Sequence, residues 1–125
     1  MPQVLVVDVD KGAAEALAEK VSRHGINEQD IGIVLLGPGE PLNLLRFWPK
    51  VSVVVVGTIP QRISQRGLAA AVQRHLGALV VFRPMSEEKR GFLGGLRIGR
   101  AFYTLDPESW DAIVPYVIRK ASTRP

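Results

Sequence analysis

Val51-Ser52-Val53-Val54-Val55-Val56 runs without a break into Gly57-Thr58-Ile59-Pro60. Ser52 is the only polar residue of the first six. A strand with one face in water alternates polar and apolar residues. A continuous β-branched run instead marks a strand covered on both faces, as in the middle of a parallel sheet. This segment is therefore expected at the sheet centre, with the turn through Gly57 and Pro60 at its end.

Working outward, four similar runs occur: Val4 to Val7, Ile31 to Leu36, Ala78 to Phe82 and Ala101 to Leu105. Between them, apolar residues recur at helical spacing. Ala14, Leu17, Ala18 and Val21 follow Asp10, a helix cap, and His24-Gly25 closes their helix. Leu42, Leu44 and Leu45 form a weaker helical stretch between Gly37-Pro38-Gly39 and Pro49. Leu68, Ala71, Val72 and Leu76 form the next stripe, ended by Gly77. Ser86 opens a helix with Phe92, Leu93 and Leu96 that Gly91, Gly94 and Gly95 each weaken by about 1 kcal/mol. Asp106-Pro107-Glu108 opens the last helix, with Trp110, Ile113, Val114, Val117 and Ile118 as its stripe and Pro115 as a kink.

Five strand–helix units with short connections require right-handed crossovers. The expected fold is α/β, a flavodoxin-like (βα)5 doubly wound parallel sheet with strand order 2-1-3-4-5. Residues 1–121 make one domain, and 122–125 a frayed end or the start of a linker.

The chain has 125 residues, 46% of them hydrophobic, enough for one core, and no cysteine. Disulfides, thiolate metal sites and thiol nucleophiles are excluded. The apolar run after Met1-Pro2-Gln3 stops at Asp8, too short for a signal peptide or a membrane span, so a soluble cytoplasmic protein is expected. The net charge of +4 comes from scattered Lys and Arg without a groove-entering motif. No sequence-specific nucleic-acid binding is expected, and the charge reads as a solvated surface, a polyanion-binding face or a face for an acidic partner.

Three segments resemble the receiver domain of two-component response regulators. Val4-Leu5-Val6-Val7-Asp8 is similar to its opening strand and acidic residue. Gly57-Thr58-Ile59-Pro60 is similar to the loop after its phospho-accepting strand. Gly99-Arg100-Ala101-Phe102-Tyr103-Thr104-Leu105-Asp106-Pro107 is similar to its glycine, aromatic and lysine–proline segment. The order of elements matches along nearly the whole chain.

The chemistry that the resemblance implies needs an acceptor carboxylate, oxygen ligands for Mg²⁺ and a lysine to neutralise the phosphoryl group. Here the acceptor position holds Val56 or Gly57. The acidic pair is reduced to Asp8, with Asp10 displaced by one residue, the lysine is replaced by Asp106, and the switch hydroxyl by Arg83 or Pro84. The resemblance thus implies an atypical receiver that is not phosphorylated, needs no cofactor and is not an enzyme. Arg83 either bridges Asp8, Asp10 and Asp106 or points into solvent. Tyr103, with Phe92, Arg97, Arg100 and Trp110, marks the face on which such domains meet a protein partner, an output domain or a second copy.

A second reading uses Gly37, Gly39, Arg62 and Arg66 to bind a small molecule or nucleotide at the carboxyl ends of the strands. Against it, Gly37-Pro38-Gly39 lacks the lysine and hydroxyl of a phosphate loop, and Arg62 and Arg66 suit a solvated helix start. His24 and His75 sit beside glycines at helix ends, where they face the helix dipole rather than a metal. Ser64, Ser86 and Ser109 have no nucleophile context, and Trp48 and Trp110 read as core or interface aromatics.

Overall fold

A computed structural model describes residues 3–37, 45, 48, 50–82, 97, 98, 100–103 and 114–119, with the main chain alone at 97, 98, 102 and 103. β1 (Val4–Asp8), β2 (Ile31–Leu35), β3 (Val53–Val56) and β4 (Leu79–Phe82) form a parallel sheet in the order β2-β1-β3-β4. Val4 lies opposite Ile31 on one side and Val53 on the other, and Val53 lies opposite Leu79. The valine run around β3 is central, as its lack of alternation requires.

Beyond β4 the sheet continues through a hairpin of β5 (Arg97–Ile98) and β6 (Ala101–Tyr103). β6 runs parallel to β4 and β5 antiparallel to β6, so β2 and β5 are the two edges. β5 is an addition to the five strands expected. Its cue is local: two residues, Gly99 and Arg100, separate two short segments, the spacing of a tight hairpin.

Side chains alternate between two buried layers. Leu5, Val7, Val54, Val56, Val80 and Phe82 face one layer, with Leu68, Ala71 and Val72 of α2 (Gln65–His75). Val4, Val6, Val53, Val55, Leu79 and Val81 face the other, with Ala14, Leu17 and Val21 of α1 (Lys11–Ser22) and Val114, Val117 and Ile118 of helical residues 114–119. Helices thus cover both faces, which is why three strands of the sheet read as near-continuous apolar runs. Leu45 is buried in the first layer and Trp48 packs against it, which makes Trp48 a core aromatic.

The helix ends follow side-chain capping. Asp10 Oδ2 accepts the Ala13 N–H at 2.8 Å and caps α1. Ser64 Oγ accepts the Gly67 N–H at 2.9 Å and caps α2, a role its sequence context did not reveal. Gly25 and Gly77 follow these helices with φ of 92° and 61°, a left-handed turn that favours glycine. Leu42, Leu44, the helix expected after Ser86 and the opening at Asp106 lie outside the described residues, as does the turn before Pro115.

Candidate functional site

β1 lies between β2 and β3, so the chain leaves β1 toward β2 on one side and β3 toward β4 on the other, and the crevice outside such a switch point is where α/β sheets bind ligands. Asp8 ends β1 at this point. It is fully buried, the one polar or charged residue that is so among the described residues. A carboxylate removed from water requires hydrogen bonds to each oxygen. Main-chain groups supply them: Oδ1 accepts the N–H of Val9 at 2.7 Å and of Asp10 at 3.1 Å, and Oδ2 accepts the N–H of Thr58 at 3.2 Å. Its position just before α1 also places the charge at the positive end of that helix.

The space for this carboxylate comes from Gly57. Val7 lies opposite Val56, and the Gly57 N–H donates to the Val7 carbonyl at 2.8 Å, which sets Gly57 beside Asp8. A Cβ on Gly57 would overlap Asp8 Oδ2 and lie 3.0 Å from its Cγ and 3.4 Å from Leu17 Cδ2. Gly57 is therefore required by close approach, because the volume that a side chain would take is filled by Asp8. Val56 points the other way, into the layer under α2. Of the two positions the sequence left open for an acceptor, Gly57 is the one that shares a face with Asp8.

Both oxygens of Asp8 are engaged by N–H groups away from solvent, Asp10 is turned to the first turn of α1, and Gly57 offers no side-chain oxygen. Among the described residues no group of three or more His, Cys, Asp or Glu is placed to hold a metal. Arg83 and Asp106, the other members of the expected pocket, lie outside the described residues.

Of the second candidate set, two members meet: the Arg62 guanidinium donates to the Gly37 carbonyl at 3.3 Å, tying the end of β2 to the turn before α2. Arg66 is exposed in the first turn of α2, and Gly39 lies outside the described residues. Of the expected contact face, Arg97 and Tyr103 lie on the β5–β6 hairpin and Arg100 between its strands, half-buried, with its carbonyl accepting the Val80 N–H at 2.9 Å. Phe92 and Trp110 lie outside the described residues.

One feature had no counterpart in the sequence reading. Val9, Ile33 and Leu35 are exposed by 38%, 36% and 40%, Val9 just past the end of β1 and the other two on edge strand β2. The run Ile31 to Leu36 looks like any buried strand, so no local signal distinguishes its open side. No helix among the described residues is long and apolar enough to cross a membrane. No family model matches the chain, and no curated protein or solved structure is significantly similar to it.

Proposed function

We propose that the chain is a receiver-like regulatory module on a flavodoxin-like (βα)5 sheet, acting through protein contact without phosphorylation or catalysis. One observation carries this reading. At the switch point, where an acceptor and its cation would sit, the Asp8 carboxylate fills the side-chain volume of Gly57 and is held by main-chain N–H groups. A carboxylate shielded from solvent and bound in this way is a poor nucleophile, because attack would require it to leave its donors.

Incubation with acetyl phosphate and Mg²⁺ is expected to leave the intact mass unchanged. Addition of a phosphoryl group, hydroxylamine-labile or stable, would refute the reading. The contact face proposed from the resemblance is that of Tyr103, with arginine and aromatic side chains as anchors. Tyr103→Ala and Arg100→Glu should each weaken retention of a native protein partner at least about tenfold, a loss of 1.4 kcal/mol. Unchanged retention would move the contact to another face.

The sensor reading keeps one supporting observation, the Arg62–Gly37 contact, which joins two loops at the carboxyl edge. A thermal-shift screen with nucleotides separates the two readings, since a ligand present at 100 times its Kd should stabilise the chain by about 2.7 kcal/mol.

A further inference from the structure

We propose that the open edge of β2 is a self-association surface, on which two copies of the chain pair antiparallel through Ile31, Ile33 and Leu35 about a two-fold axis at Ile33. This goes beyond the receiver-like reading and does not depend on it. Among the described residues β2 is bonded on one side only, to β1. The Leu36 N–H donates to the Asp8 carbonyl at 2.8 Å, so the even-numbered residues of the strand turn their main-chain groups inward. Successive residues alternate, and the main chain of Ile31, Ile33 and Leu35 therefore faces outward.

An edge of this kind is ordinarily blunted by a charge, a proline, a bulge or extreme shortness. β2 has none of these in its five residues, and two of its apolar side chains are exposed on one face. The other edge differs, since β5 has two residues and one is Arg97.

The second copy is favoured over an unrelated strand because the β2 edge is complementary to itself. In antiparallel pairing about Ile33, every outward residue meets an outward residue: Ile33 the partner's Ile33, and Leu35 the partner's Ile31. Ile33 and the partner's Ile33 exchange both main-chain hydrogen bonds, and each Leu35 N–H reaches the other copy's Ile31 carbonyl. The Ile31 N–H is already donated to the Glu28 carbonyl, which leaves it out of the set. Three apolar cross-strand pairs line one face without any charge opposing itself.

Charge at the strand ends agrees. A single helical turn, Glu28–Asp30, precedes β2 and carries two carboxylates, whereas at the far end Arg62 lies against the carbonyl of Gly37. Antiparallel pairing brings the acidic end of each copy to the arginine end of the other. Parallel pairing would set like charges together. A closed two-fold contact also consumes the β2 edge of both copies, so association through this edge stops at the dimer.

The test uses the 125-residue chain in sedimentation equilibrium over a range of concentrations. A monomer–dimer equilibrium is expected, and Ile33→Lys, which sets two ammonium groups against each other at the axis, should weaken it at least about tenfold. A chain that stays monomeric to millimolar concentration, or a dimer indifferent to Ile33→Lys, would overturn the proposal.

A second measurement stands if that variant misfolds. The chain has no cysteine, so Ile33→Cys introduces a single thiol. Hydrogen-bonded antiparallel partners have Cα atoms about 5.5 Å apart, within the roughly 4.4–6.8 Å that a disulfide spans. Ile33→Cys should link two chains under mild oxidation. Leu35→Cys should not, since its copy lies four residues, about 13 Å, further along the strand. Equal linking of the two variants, or none by Ile33→Cys, would contradict the pairing.

Discussion

The carboxyl end of β1 and the outer side of β2 are neighbours in the sheet with opposite solutions to one problem, what to do with main-chain and polar groups at a boundary. At the end of β1 the buried carboxylate is satisfied from within. It takes three main-chain N–H donors and fills the space left by a glycine. Along β2 the main chain of Ile33 and Leu35 faces away from β1, beside exposed apolar side chains, on the edge proposed to pair with a second copy. The first arrangement closes the place where α/β sheets do chemistry, and the second opens a place where they add strands. The proposed contact module rests on this contrast.

The strongest way to break this contrast is to pry open the closed region. Gly57→Ala forces the Asp8 carboxylate from its donors and crowds Leu17, and should cost about 2–4 kcal/mol in urea unfolding. Asp8→Ala strands the same three N–H groups and should cost about 1–3 kcal/mol. Because both changes act on one contact, the double variant should lose at least about 1 kcal/mol less than the two single losses added. Additive losses would mean that the glycine and the carboxylate are not coupled.

At the open region the expected effect on the monomer is small. Ile33→Lys replaces a side chain already 36% exposed, and in dilute solution should change stability by about 1 kcal/mol or less. A larger loss would mean that this edge is part of the core rather than a surface.

Much of this was legible in the amino-acid order. Runs of Val and Ile between capped apolar stripes dictate buried parallel strands, and the Asp10 cap and the Gly25 and Gly77 exits follow from local chemistry. The site was less legible because its contacts are remote. Thr58 reaches Asp8 across fifty positions, so Gly57 read only as a residue that cannot accept a phosphoryl group, and its role as space for a carboxylate needed the fold. Ile33 and Leu35 were misleading for a related reason. The unbroken apolar run reads as a strand covered on both faces, yet at the end of the sheet Ile33 and Leu35 stay exposed, so the pattern that holds for the central strands fails at the edge. The β5–β6 hairpin is a missed local cue, since two residues between short strands is a tight-turn spacing.

Residue-resolved amide hydrogen exchange, followed at low and at high protein concentration, tests the closed centre and the open edge together. The amides of Val9, Asp10 and Thr58, bound to Asp8, should exchange slowly at both concentrations, as should Gly32 and Val34, whose main chain faces β1. Ile33 and Leu35 should exchange fast in dilute solution and become protected as concentration rises. Fast exchange at Thr58, or protection at Ile33 and Leu35 that does not depend on concentration, would contradict the account.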